Sequence, residues 1–256
     1  MKKINFEDSR KLQFGLLKEI DRFCTANGIR YFMAFGTLLG AVRHKGYIPW
    51  DDDTDVCMPR PDYERFMKEY MNNDTYSVYT FHSDKNYFYT FGRIRDNRTY
   101  NLQGNKKLAG VCVDIYPIEG LPQNENELSD HVLNVEKIRK KEMVLTRWYS
   151  RFNRYHLSFF NIILRPLIYK NACKMENVIM KYDYESSKNV SALSTIVKNV
   201  IPKDYYGKGI KLEFENELFM APNKTIEWLT NVYGDFMKLP PVEKRTPNHW
   251  GNFYYY

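Results

Sequence analysis

Residues 34–58 read AFGTLLGAVRHKGYIPWDDDTDVCM, and three kinds of chemistry lie inside this one stretch. A Gly36-Thr37 turn comes first, with a second glycine at Gly40. A basic segment, Arg43-His44-Lys45, follows, and then a carboxylate cluster, Asp51, Asp52, Asp53 and Asp55, running into apolar residues. Four like charges within five positions repel one another, and a buried unpaired charge is very costly. Such a cluster needs a solvated loop or bound cations. Residues 29–35 (IRYFMAF) read as a strand and residues 37–42 as a short helix. A strand that delivers a glycine turn into a helix start aims backbone N–H groups at an anion. The stretch is therefore read as a divalent-metal site beside a phosphate-binding turn.

Strand alternation from Asp53 to Met58 puts Asp53 and Asp55 on one face. Two carboxylates so placed can share a hard, oxygen-loving cation. A second anomaly lies downstream, in residues 110–118 (GVCVDIYPI), an apolar strand with Asp114 in its middle. A lone carboxylate in a buried-looking strand needs a partner or a cation. It supplies a third carboxylate for the Asp53/Asp55 pair. Asp51 is a further candidate ligand, because the run of acids leaves the register open.

Three readings of the acids compete. An EF-hand calcium loop starting at Asp51 needs glycine at its sixth position and glutamate at its twelfth; here these are Val56 and Asp62. The Asp-x-Asp motif of a nucleotide-sugar glycosyltransferase leaves the Gly-Thr turn and Asp114 without a role. A two-metal phosphoryl-transfer site uses all of them, one cation serving the attacking oxygen and one the leaving group. Arg93 and Arg95, in the GRIRD segment, share a strand face and suit phosphate oxygens. A non-catalytic, nucleotide-binding scaffold is the alternative from a different class.

The rest of the chain frames this site. Residues 7–27 read as an amphipathic helix capped by Asp8 or Ser9 and stopped at Asn27-Gly28. Residues 62–71 form another helix, and residues 76–81 and 87–94 read as strands. Residues 125–152 are a long polar helix. Residues 155–169 (YHLSFFNIILRPLIY) are an aromatic and aliphatic helix, suited to a core or to a membrane surface. A strand over 190–197, another over 211–214, a helix over 222–233 and a proline-punctuated tail complete the order. The boundary falls between Pro122 and Glu125, dividing a catalytic core, 1–123, from a mainly helical region, 124–256, packed on it.

With 256 residues, 43% of them apolar, a sizeable core is expected. The net charge of +7 suits anionic substrates or a membrane surface, and the absence of any nucleic-acid motif argues against DNA or RNA as a partner. The four cysteines contain no Cys-x-x-Cys pair, so free thiols in a reducing compartment are expected. No segment is apolar enough to span a bilayer, and the first residues lack the apolar run of a signal peptide. These features fit a cytoplasmic protein, or a peripheral one at the inner face of the membrane.

The pattern GTLLGAVRHKGYIPWDDDTDV resembles the signature of the LicD family of phosphotransferases, relatives of the fukutin proteins with a nucleotidyltransferase fold. PDYERF, GRIRD, VDIYPIEG and YGDFMKLPPVEKRTPNH extend the resemblance, with Glu119 standing where an aspartate is common. The resemblance implies an α+β fold, a mixed sheet flanked by helices. It also implies Mg²⁺- or Mn²⁺-dependent transfer of a phospho-substituent from a CDP-linked donor. In the best-known members the group is phosphocholine and the acceptor a cell-surface glycan or its lipid-linked precursor, as in lipopolysaccharide, teichoic acid or capsule synthesis; another polyol phosphate is the alternative cargo. On this pattern Asp53, Asp55 and Asp114 are the metal ligands and catalytic carboxylates. Gly36, Thr37, Arg43, Lys45, Arg93 and Arg95 are then phosphate contacts. Trp50 is the aromatic expected to meet the trimethylammonium by cation–π attraction.

Overall fold

A computed structural model describes residues 2–103, 106–154, 158–195, 199–247 and 251–256. Its helices are α1 (Phe6–Asn27), α2 (Phe35–His44), α3 (Arg60–Glu69), α4 (Glu125–Arg154), α5 (Asn161–Ile179) and α6 (Thr225–Tyr233). Its strands are β1 (Phe32–Met33), β2 (Asp55–Pro59), β3 (Tyr76–Tyr79), β4 (Gly92–Asp96), β5 (Thr99–Gln103), β6 (Lys106–Ala109) and β7 (Cys112–Gly120). After these come β8 (Asn189–Ser191), β9 (Ile201–Pro202), β10 (Ile210–Phe214), β11 (Glu217–Ala221) and β12 (Phe253–Tyr255). The fold is α+β, as expected.

The main sheet runs β1-β2-β7-β4-β3, with β8 and β9 continuing from β7. The β2/β7 pair is parallel and every other pair is antiparallel, so the sheet is mixed. The parallel register sets Asp55 opposite Asp114. Apolar residues of α1, such as Leu16, Leu17 and Ile20, join Val113 and Ile115 of the sheet in one buried cluster that also takes in Phe214, Phe219 and Trp228.

Local chemistry explains most element ends. Asn5, rather than Asp8 or Ser9, caps α1, its side chain accepting from the Asp8 amide at 2.7 Å. Gly28 closes that helix at φ 61°, where a Cβ would be strained. Asn124 caps α4, accepting from the amides of Asn126 and Glu127 at 2.9 and 3.2 Å.

Other bounds differ from expectation. The strand before Gly36 is only Phe32–Met33, because the helix begins at Phe35. The strand expected to begin at Tyr87 starts at Gly92, and α5 begins at Asn161 and runs on to Ile179 with Pro166 inside it. Tyr155, Val197 and His249, ends of segments singled out from the sequence, lie outside the described residues. At the C-terminal end, β12 pairs with β5, and Tyr254 bridges Lys3.

Candidate active site

The acidic loop is held by its backbone. Arg10 and Gln13, on α1, donate to the carbonyls of Asp51 and Asp52 at 2.6 and 2.9 Å. The Asp114 amide donates to the Thr54 carbonyl at 3.0 Å, and Tyr47 shares a hydrogen bond with the Thr54 hydroxyl. Thr37 in the first turn of α2 accepts from the Asp55 amide at 2.9 Å through Oγ1. These bonds place residues 51–55 across the start of α2.

Gly36 leaves room there for the Asp51 carboxylate. A Cβ at this position would lie 2.2 Å from Oδ2 of Asp51. The preceding residue, Phe35, has φ 45°, an uncommon conformation for a residue with a side chain. Its ring is wedged edge-on between Tyr116 and Trp228, at 5.3 and 5.8 Å. Strain of this kind persists where surrounding structure holds it, typically at functional sites.

Among the described residues, carboxylate oxygens of Asp51, Asp52 and Asp53 lie within 4.8 Å of one another. Asp55 begins β2, so Asp53 belongs to the preceding loop and not to the strand, and strand alternation does not set the pair. Asp55 is buried, and its Oδ1 has no hydrogen-bond partner. Burial, with Asp53, Asp114 and Asp51 nearby, raises its pKa well above the ordinary range. Burial and then Asp53 raise Asp51 to about 7. Clustered acids with an orphaned buried oxygen fit a hard divalent cation, which would neutralise their repulsion and occupy the free lone pairs.

Arg93 is not a free phosphate contact here. Its fork holds Asp114 at 2.5 and 3.0 Å, and the Tyr116 hydroxyl donates to the same carboxylate at 3.2 Å. The rings of Tyr87, Tyr89 and Phe91 surround the guanidinium at 5.2 to 5.6 Å. Arg95, on the same strand, bonds Ser77 and faces a separate cavity with His82 and Asp84.

Arg43 donates to the Phe236 carbonyl at 2.7 Å, and Lys45 is the exposed, left-handed cap at the far end of α2. Trp50 lies 5.3 Å under the guanidinium of Arg245, so its ring already has a cation. Tyr233, on the C-terminal side, has its pKa raised by burial and then by Asp55, Asp51 and Asp53. The field of the acids thus reaches this half-exposed tyrosine, which the sequence reading did not anticipate.

A cavity of about 640 Å³ opens beside the acids. Asp52, Asp53, Asp114 and Arg93 line one part of it, Tyr89, Phe91 and Tyr116 another, and Arg139, Glu142, Thr146 and Ser194 a third. Nothing in the sequence pointed to the last group: Arg139, Glu142 and Thr146 lie on α4, which reads as a solvated face, and Ser194 lies in the turn after β8.

A mixed sheet that sets carboxylates on adjacent strands over a strained Gly-Thr helix start defines a nucleotidyltransferase-type transferase. A family model described as LicD/FKTN/FKRP, nucleotidyltransferase domain, matches residues 28–158, over half of the chain, and the chain belongs to that family. A lipopolysaccharide cholinephosphotransferase LicD of Haemophilus influenzae is 28% identical over 259 residues, covering 97% of each chain. An uncharacterized protein of Rickettsia typhi is 31% identical over 112 residues, 44% of this chain and 36% of its own. Among the described residues no helix is long and apolar enough to cross a membrane.

Proposed function

We propose that this chain transfers phosphocholine from a CDP-linked donor to a hydroxyl of a cell-surface glycan or its lipid-linked precursor, using Mg²⁺ or Mn²⁺. The observation that carries the reading is the placement of Asp55 beside Asp114 on parallel strands, with Asp51, Asp52 and Asp53 clustered in the loop that leads into β2. End-to-end similarity to a cholinephosphotransferase supports the cargo.

Asp51, Asp53, Asp55 and Asp114 would hold the metal. When bound, it supplies charge neutralisation on the diphosphate and makes the acceptor hydroxyl more acidic. The chain's own groups do the rest. The first amides of α2, at Gly36 and Thr37, face donor phosphate oxygens. The acceptor oxygen attacks the phosphorus that carries choline, the bond to the bridging oxygen breaks, and cytidine monophosphate leaves. Asp114, oriented by Arg93 and Tyr116, takes the hydroxyl proton. Tyr116 lines the cavity and offers a ring face to the trimethylammonium; the rings of Tyr89 and Phe91 lie against Arg93, as that of Trp50 lies against Arg245.

The test incubates the protein and Mg²⁺ with CDP-choline, CDP-ethanolamine and CDP-ribitol, with and without glycan acceptor, and measures cytidine monophosphate. Release from CDP-choline, dependent on metal and increased by acceptor, is expected. Release from CDP-ribitol alone would transfer the reading to polyol phosphates, and release from none would end it. Tyr116→Leu should raise KM for CDP-choline roughly tenfold, whereas Tyr116→Phe, which keeps the ring, should raise it much less.

A further inference from the structure

We propose that the tip of the α4–α5 hairpin docks on an anionic lipid surface. The base of this hairpin is packed: Val135, Ile138, Met175 and Ile179 form a buried cluster with Leu121 and Leu193. Beyond it the helices carry apolar residues that nothing covers among the described residues. Phe159 is 72% exposed, Ile162 66% and Ile163 61%, with Trp148 and Leu167 also exposed. The aromatic residues form one surface, Trp148 against Phe152 at 5.6 Å and Phe152 against Phe160 at 5.1 Å. A large contiguous exposed apolar patch marks an interaction surface.

Charge identifies the occupant. From Met143 to Met175 the sequence has six lysines and arginines and no aspartate or glutamate. Arg147, Arg151 and Lys170 are exposed beside the apolar residues. Aromatic and aliphatic side chains rimmed by basic ones are the composition that seats a helix at the interface of an anionic bilayer. A second copy of the chain would bring like charges together, which opposes self-association through this face.

The position of the face suits the proposed reaction, and to that extent the inference rests on it. Met143, 59% exposed, also lines the cavity beside the acids. A chain seated by this tip would thus present its cavity next to the bilayer, where a lipid-linked acceptor is anchored.

Flotation with vesicles tests the docking separately from catalysis. The protein should float with vesicles of equal parts phosphatidylcholine and phosphatidylglycerol, remain unbound with phosphatidylcholine alone, and detach as salt rises. Ile162→Asp with Ile163→Asp should weaken binding roughly tenfold or more, and Arg147→Glu with Lys170→Glu should do the same. Both pairs should keep the wild-type circular dichroism spectrum and turn over a water-soluble acceptor normally. Asp53→Asn should float like the wild type while losing transfer, and wild-type protein that floats but releases no cytidine monophosphate from any donor would remove the catalytic reading alone. Absence of flotation, flotation that neither pair weakens, or self-association in solution abolished by the apolar pair would overturn the proposal.

Discussion

Arg93 is the residue on which the site's charge balance turns. Burial opposes its charge, yet Asp114 more than offsets this and holds the guanidinium's pKa well above normal. Arg93→Lys keeps the charge but loses the fork that orients Asp114. Turnover is expected to fall roughly tenfold to 100-fold with little change in donor KM, measured by steady-state release of cytidine monophosphate. Asp53→Asn and Asp114→Asn remove the carboxylates themselves and should lower turnover about 100-fold or more, with circular dichroism unchanged; near-normal rates in either would refute its role. The carboxylates were legible in the sequence because charges at those positions are anomalous: a run of acids and one acid in an apolar strand. Arg10 and Gln13 were not, since they act by donating to backbone carbonyls from an otherwise ordinary amphipathic helix. No local pattern announces which loop will fold against such a helix.

Elements were readable where periodicity was long, as in α1 and α4, and misread where tertiary bonds set the bounds. The Thr37 hydroxyl bond to Asp55 and the parallel pairing with β7 start β2 at residue 55, which no alternation rule anticipates. Two elements lend themselves to test. On α4, burial raises Glu142 from 4.5 to about 7, with Arg139 opposing. Between those two values the unfolded chain releases this proton and the folded one keeps it, so wild-type stability falls as pH rises through the window. Glu142→Gln does not titrate. Its stability relative to wild type should therefore grow between pH 4.5 and 7 and then level off, by up to about 3 kcal/mol, read by urea unfolding at a series of pH values; a constant difference would contradict the burial. At the start of α3, Arg60 is clamped onto Glu119 at the end of β7, both buried. Arg60→Ala strands a buried carboxylate and should cost about 3–5 kcal/mol, whereas Arg60→Met combined with Glu119→Leu should recover most of that loss.

At the scale of the molecule, the chain carries a net charge of +7 yet gathers four acids in five positions of one loop. Folding buries two of these neighbouring acids, Asp52 and Asp55, and brings Asp114 opposite Asp55. Burial and the neighbouring acids raise the pKa of Asp55 in the folded chain, so without metal its presence lowers stability at neutral pH. A cation bound only by the native state reverses this. At a concentration 100 times its dissociation constant it adds about 2.7 kcal/mol, which for a chain of this size raises the melting temperature by roughly 5–10 °C. Asp55→Asn separates the two effects. The variant should melt a few degrees above wild type in a chelator, because the buried acid is gone, and should respond little to Mg²⁺, because a ligand is gone. Scanning calorimetry of both proteins with and without Mg²⁺ measures each term. A variant that melts below wild type in chelator, or that keeps the full rise with Mg²⁺, would show that Asp55 supports the fold and leaves the metal to its neighbours.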